Sequence, residues 1–290
     1  MGPLSLLSSH FRPTLHAPSA ASTYLFIGDA FIPPLVLFFA AQSAVFYAAP
    51  GLFSCAFPAA PRLDARTSRA LSSFVASVLH HLIVVPLSAS ALVQFASGGG
   101  VAWATIALVC PLTLAYLLMD LALFAIPEAL EAAAWMAAAW ARPVRGGAPE
   151  SATARPRGSV TYLLHHALGV AVVAGVLSLP PRLLRWAPTL LVTEASSIPL
   201  CLSYVLRKAG PPHAAGLLPR ALEAAFALSF FATRVALLGV GAAAFALAGA
   251  HAGDRALVGW RGLAVLWALV GMQLYWFWGI VRMLRGRAAR

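Results

Sequence analysis

The sequence predicts an all-α, polytopic membrane protein, and two observations carry that prediction. Hydrophobic residues make up 61% of the 290 residues and charged residues only 10%, with a mean hydropathy of +0.83. Soluble domains stay nearer half apolar and a quarter charged. In addition, about seven stretches reach the roughly 20 mostly apolar residues that a helix needs to cross the hydrocarbon core of a bilayer.

Each predicted span is an apolar run that ends at charged, glycine or proline residues. In chain order they cover roughly residues 24–48, 71–96, 101–126, 160–179, 186–206, 221–250 and 259–284. We expect an N-terminal segment with one span over residues 1–68, a six-helix membrane domain over 69–285 and a basic tail at 286–290. The six helices should form a bundle around an intramembrane cavity.

Three connections are distinctive. Residues 50–69 are predicted to form a loop, and 98–100, all glycine, a tight lumenal turn. The longest polar connection covers residues 127–159. Its first part, PEALEAAAWMAAAWAR, has acids early and Arg late, as helices prefer. It is either a short interfacial or re-entrant helix or an extension of the preceding span beyond a break at Pro127.

The positive charge is distributed unevenly between the two sides of the membrane. The net charge is +11, with 20 Lys and Arg in total. Assigning loops to alternate sides puts 14 of these on one side and five on the other, and leaves only Arg234 inside a span. The positive-inside rule then predicts a cytosolic C-terminus and an N-terminus across the membrane. No nucleic-acid motif or aromatic-basic interleaving accompanies this charge, so we expect no nucleic-acid partner.

Nine polar side chains fall at bilayer depth, where one charged group costs roughly 2.5–3.5 kcal/mol on insertion scales. They are Asp29, His80, His81, Asp120, His165, His166, Glu194, Arg234 and Gln273. Helical periodicity places most of them on shared faces with further polar residues, for example Thr113, Tyr116 and Asp120, or Glu194, Ser197 and Cys201. Six spans thus carry a polar stripe, and we expect all six stripes to face one polar cavity.

Structural explanations compete with a functional one for each residue. A single buried His in a membrane bundle can be a hydrogen-bonding strut. Asp120 or Glu194 can simply neutralise Arg234. The aromatic residues around Trp276 can be packing or an interfacial belt. The number of buried polar groups favours a site, whose lipid or headgroup contacts we expect from His80, His81, Tyr116, Glu194, Ser197, Arg234, Gln273 and Trp276.

The polar motifs, taken in order, resemble the TLC-domain family. They read A-Y-L-L-M-D at 115–120, L-L-H-H at 163–166, T-E-A-S-S-I-P at 193–199, F-F-A-T-R at 230–234 and Q-L-Y-W-F at 273–277. The family includes ceramide synthases, translocon-associated membrane proteins and lipid-homeostasis proteins of the endoplasmic reticulum. The resemblance covers roughly 69–285 and implies six helices around a lipid cavity, with one extra N-terminal span and a cytosolic C-terminus.

One departure separates this chain from the ceramide synthases. Those enzymes continue the double histidine with His-Asp, a further Asp, then Glu and Lys. Here only Glu194 stands in the corresponding helix, in the form E-x-S-x-x-P, and no His-Asp pair occurs. The chain therefore looks closest to TLC-domain proteins outside the ceramide synthases proper.

The resemblance implies a role in lipid metabolism or homeostasis, with two forms left open. In one, an acyl group moves from acyl-CoA, as co-substrate, to a lipid amine or hydroxyl. His165 or His166 would then act as general base or nucleophile, and Asp120 or Glu194 would orient the ring. Arg234 would bind an anionic headgroup or help to stabilise charge. In the other form, the protein binds, senses or traffics membrane lipids without catalysis.

Metal-dependent chemistry is the least favoured alternative. A zinc amidohydrolase would use the Ser77 to His81 segment and Asp120, but the last span lacks the His pair that such chemistry needs. Cys55, Cys110 and Cys201 form no C-x-x-C pair. We therefore expect no metal and no resident cofactor, membrane lipids as partners, and residence in the endoplasmic reticulum membrane. The sequence does not predict an oligomeric state.

Overall fold

The computed structural model describes six stretches of the chain: residues 32–97, 103–140, 159–177, 186–210, 216–251 and 255–288. Within these stretches every regular element is helical, which confirms the predicted all-α class. The helices, in chain order, are α1 (Ile32–Ala56), α2 (Ala65–Ala96), α3 (Trp103–Asp120), α4 (Ile126–Trp140), α5 (Ser159–Leu177), α6 (Ala187–Val192), α7 (Ser197–Lys208), α8 (Leu217–Ser229), α9 (Leu238–His251) and α10 (Arg255–Ala288).

Three short segments of other helical types join some of these helices end to end. A π-helical segment, Leu121–Ala125, connects α3 to α4, and another, Phe230–Leu237, connects α8 to α9. The 3-10 segment Thr193–Ser196 connects α6 to α7. The ten α-helices therefore make seven rods in the described chain, and the last of these, α10, is kinked at Gly259, where φ is 60°.

Six of the rods have the length and apolar composition to cross a membrane. They are Ile32–Ala56, Ala65–Ala96, Leu108–Ala137, Ala187–Lys208, Leu217–Leu247 and Gly262–Arg285. The seventh, α5, has a shorter apolar part at Tyr162–Val176. The chain is therefore an integral, multi-pass membrane protein, as its composition predicted.

The first span ends later than the sequence predicted. Residue 48 was the expected end, yet α1 continues through Pro50 to Ala56. A proline removes one hydrogen bond but does not always end a helix that packs well, and Phe53, beyond Pro50, is buried. The predicted loop at 50–69 is therefore wrong at both ends. Within residues 50–69, the non-helical part is limited to 57–64.

Helix α2 begins at a side-chain cap. Asp64 accepts a 2.7 Å hydrogen bond from the backbone N–H of Thr67. This bond satisfies one of the free N–H groups at the helix start. The same bond, made to the charged carboxylate, lowers the pKa of Asp64 below 3.8. The cap fixes the start of the helix that carries His80 and His81.

The segment after the third span is an extension of that span. The π-helical segment Leu121–Ala125 runs directly into α4, and Pro127 follows it within the continuous rod, where local π-helical backbone accommodates a proline without ending the helix. Arg66 of α2 donates to Glu128 at 2.9 Å, and Arg69 pairs with Glu128 and Glu131. These ion pairs fasten α4 to the start of α2.

Close packing among α1, α2, α3 and α5 creates the centre of the bundle. Phe46, Ala76, Met119 and Val173 belong to one buried apolar cluster to which each of these helices contributes. Gly169 of α5 allows a close approach to α3, because a Cβ atom at this position would lie 3.2 Å from the Leu117 side chain. The helices that carry Asp120 and His166 are thereby held together.

Several predicted features lie outside the described residues. These are Asp29, the glycine turn at 98–100, the connection at 141–158 and the end of the basic tail at 289–290.

Candidate functional site

Polar side chains from α2, α3, α5, the α6–α7 rod, the α8–α9 rod and α10 meet inside the bundle. Six of the predicted site residues are at most 5% exposed: His80, His81, Tyr116, His166, Arg234 and Gln273. Asp120 is completely buried. The six stripes predicted from periodicity therefore do face one another. Their side chains form two hydrogen-bonded groups and an aromatic group between them.

The first group surrounds Asp120. Ser73 donates to one carboxylate oxygen at 2.5 Å, and the Tyr162 hydroxyl donates to the other at 2.7 Å. The His166 Nδ1 atom lies 3.3 Å from the second oxygen, although the contact lacks hydrogen-bond alignment. The Tyr162 ring also stacks on the His166 ring at 4.4 Å. Tyr162 therefore fixes both members of a carboxylate–imidazole pair.

The second group surrounds Arg234. Its guanidinium Nη2 donates to Glu194 at 2.7 Å and to Ser197 at 2.9 Å, while Nε donates to Ser196 at 2.8 Å. Nη1 lies 3.5 Å from the Gln273 side-chain oxygen. Ser197 in turn donates to Glu194 at 2.9 Å. Of the two acids considered as partners of Arg234, the structure pairs it with Glu194.

Glu194 also faces the second span. The Nε2 atom of His81 lies 3.2 Å from the carboxylate oxygen that receives Arg234. This contact again lacks hydrogen-bond alignment. The site therefore contains two carboxylate–imidazole pairs, His166 with Asp120 and His81 with Glu194, on four different rods.

Tyr116 lies between the two groups. Its hydroxyl shares a 2.5 Å hydrogen bond with Ser77, and its ring stacks on His80 at 4.4 Å. The same ring meets the edges of His81 at 5.6 Å and His166 at 6.2 Å. One aromatic side chain thus joins both halves of the site into a continuous polar centre.

His165 and Trp276 form the less buried side of the centre. Their rings meet edge to face at 4.9 Å, and both side chains are half-buried. Adjacent His165 and His166 rings lie 5.2 Å apart and are nearly perpendicular. The double histidine therefore spans the site from the buried Asp120 outwards, and the Glu194 side chain, 23% exposed, is also partly accessible.

A non-α helical segment contains or directly follows each charged residue of the centre. Asp120 is the residue directly before one π-helical segment, Arg234 lies within the other, and Glu194 lies in the 3-10 segment. Such segments inside α-helices are frequent at functional sites because they change the direction of the side chains. Pro199 follows the 3-10 segment by three residues.

Sequence reasoning missed some partners. Ser73, Tyr162 and Ser196 were not predicted as site residues, although Ser196 lies next to Ser197. A short polar residue within one turn of a buried charge was the available signal. Helical periodicity could not reveal the π-helical segments. The side chain of Thr161, predicted to precede His165 by one turn, is outside what the structure describes.

The described side chains do not form a group of three or more His, Cys, Asp and Glu residues that could hold a metal ion. What the arrangement offers is proton transfer and hydrogen bonding. It contains two carboxylate–imidazole pairs, two tyrosine hydroxyls and one guanidinium, all inside an apolar bundle.

A family model described as a TLC domain matches residues 33–282, and so includes α1 as well as the six rods that follow. A search of curated proteins finds no match to this chain.

Proposed function

This chain belongs to the TLC-domain family, and from that premise we propose that it transfers an acyl group to a lipid. The family makes it a membrane protein of lipid metabolism or homeostasis. The observation that supports transfer is the His166–Asp120 pair, held by Ser73 and Tyr162, beside the more accessible His165. Acyl-CoA is the proposed donor and a lipid amine or hydroxyl the proposed acceptor.

The proposed reaction needs one base and one stabilising carboxylate. His166 takes the proton of the acceptor as its nitrogen or oxygen attacks the thioester carbonyl, and Asp120 stabilises the imidazolium that forms. The new carbon–nitrogen or carbon–oxygen bond replaces the carbon–sulfur bond. The departing thiolate then takes up the proton from His166, which returns the site to its starting state. His165 would help to position the thioester at the less buried side.

A second candidate function, lipid binding without catalysis, is favoured by one specific observation. Arg234 and Glu194 mainly satisfy each other and nearby serines, as in a centre built to be stable rather than reactive. A binding or sensing protein would use the remaining unpaired imidazole nitrogens to hold a lipid headgroup and regulate membrane lipid composition.

Substitution of the double histidine separates the two functions. We expect His166→Ala to abolish acyl transfer from acyl-CoA to an added lipid acceptor in microsomes, and His165→Ala to reduce it at least tenfold, about 1.4 kcal/mol of transition-state stabilisation. Gln94→Ala is the control, since Gln94 is exposed at the far end of α2. Full turnover by H166A would contradict its role as base. Absence of product from wild-type protein with every acyl-CoA tested would favour the binding function.

We further propose the endoplasmic reticulum membrane as the location and a cytosolic C-terminus. The family resemblance supports the first and the excess of Lys and Arg in one set of loops supports the second. In this scheme acyl-CoA approaches the site from the cytosolic face. The basic loops would attract its phosphates.

A further inference from the structure

The charges of the polar centre do not balance. The centre contains two carboxylates, those of Asp120 and Glu194. Among the residues that the structure describes, Arg234 is the only Lys or Arg that is buried. Arg234 is paired with Glu194 at 2.7 Å. With neutral imidazoles the centre carries one net negative charge.

Arg234 has little capacity left for an anionic ligand. A guanidinium has five N–H donors, and four of these are directed at Ser196, Ser197, Glu194 and Gln273. A phosphate that approached Arg234 would also meet the Glu194 carboxylate. Like charges at such distances in a low-dielectric site repel strongly.

Several imidazole nitrogens of the centre have no hydrogen-bond partner. Both nitrogens of His80 and the Nδ1 atoms of His81 and His165 are buried and unpaired, and the His80 side chain is 2% exposed. A neutral imidazole carries one donor and one acceptor. Buried polar groups of this kind are nearly always paired, with protein, water or ligand. A ligand group that both donates and accepts hydrogen bonds, such as a hydroxyl, would complement these imidazole nitrogens.

We infer that the polar centre selects lipids with an uncharged, hydroxyl-bearing headgroup and excludes lipids with an anionic phosphate headgroup. Glu194 is the residue that sets this selectivity, because it neutralises Arg234. Of the two carboxylates of the centre, Asp120 and Glu194, it is also the one that is partly exposed. The inference rests on the proposed lipid function but not on catalysis. It replaces the expectation that Arg234 holds an anionic headgroup.

Diacylglycerol and phosphatidic acid with identical acyl chains provide a matched pair of probes, since they differ only in the phosphate. Purified protein in detergent is titrated with each lipid, and binding is followed by the shift in the midpoint of thermal unfolding. High salt is present to screen binding to the exposed basic loops. We expect diacylglycerol to bind at least about tenfold more tightly than phosphatidic acid.

Glu194→Gln tests the proposed origin of the selectivity. It keeps the side-chain size and releases the charge of Arg234, so phosphatidic acid should bind at least about tenfold more tightly than it does to the wild type. Glu131→Gln is the matched control, because it removes the same charge from the exposed surface between α4 and α2. It should leave the ratio of the two affinities unchanged.

Each result has a defined meaning. If neither lipid shifts the unfolding midpoint of the wild type, the proposed lipid site itself is wrong. If both lipids bind equally, or phosphatidic acid binds more tightly, the lipid site stands and the charge selectivity is wrong. If E194Q and E131Q change the affinity ratio alike, the selectivity does not come from the polar centre.

Discussion

Asp120 is the residue whose burial demands most compensation. It has no exposed surface, and a charged group at this depth costs several kcal/mol unless it is hydrogen-bonded or paired. Two hydroxyl donors, one on each oxygen, and a nearby imidazole supply that compensation. The same arrangement holds His166 in a single orientation. At the residue scale, stability and the proposed chemistry therefore depend on the same contacts.

Removing the Tyr162 hydroxyl should weaken the protein through Asp120. We expect Tyr162→Phe to lower the free energy of unfolding by about 1.5–3 kcal/mol, the usual contribution of a hydrogen bond to a charged group. The ring and its stacking on His166 remain. Thermal unfolding in detergent measures the loss, and Ser54→Ala is the control, since exposed Ser54 bonds only to its own helix at Pro50.

A double-mutant cycle then tests the mechanism of that loss. In an Asp120→Asn background the carboxylate charge is gone, so Tyr162→Phe should cost clearly less than in the wild type. Strictly additive losses would show that the Tyr162 hydroxyl does not stabilise the protein through the Asp120 carboxylate.

At the scale of elements, ion pairs connect α4 to the start of α2. Glu128 is 5% exposed and faces Arg66 and Arg69, whereas Glu131 is about half exposed. An ion pair with one buried partner contributes more than an exposed pair, which is screened by solvent. The position of α4 therefore depends mainly on Glu128. This helix continues from Asp120 through the π-helical segment.

We expect Glu128→Gln to lower the free energy of unfolding by about 1 kcal/mol, and Glu131→Gln to change it by less than about half of that. Both variants replace a glutamate with a glutamine, and the two residues lie one turn apart on the same helix. Thermal unfolding midpoints of both variants, with the salt concentration varied, make the comparison. A larger loss in E131Q would contradict the assignment of Glu128 as the main anchor.

At the scale of the whole molecule, the apolar surface points outwards. Large side chains on α1 and α10 are widely exposed, among them Leu37 at 66% and Tyr275 at 65%. Such patches would cause aggregation in water, but they suit the hydrocarbon of a bilayer. The polar groups are collected inside instead. This inversion explains why a composition of 61% hydrophobic residues identifies the class of protein so directly.

The orientation of the molecule is open to direct measurement. We expect a C-terminal tag to be accessible to protease or antibody in microsomes whose membranes are intact, and an N-terminal tag to become accessible only after permeabilisation. The reason is the excess of Lys and Arg in the loops on the C-terminal side. The reverse pattern of accessibility would overturn the proposed orientation and, with it, the proposed approach of acyl-CoA from the cytosol.

The sequence by itself determined the helical membrane architecture and the polar stripes, because both follow from local properties: the length of an apolar run and the helical period within it. The tertiary structure decided the features that cannot be read from any single apolar segment. It matched Arg234 with Glu194 instead of Asp120, since that choice depends on which rods are neighbours. It also carried α1 through Pro50 and introduced π-helical turns beside Asp120 and at Arg234, because packing between helices outweighs the local cost of irregular backbone.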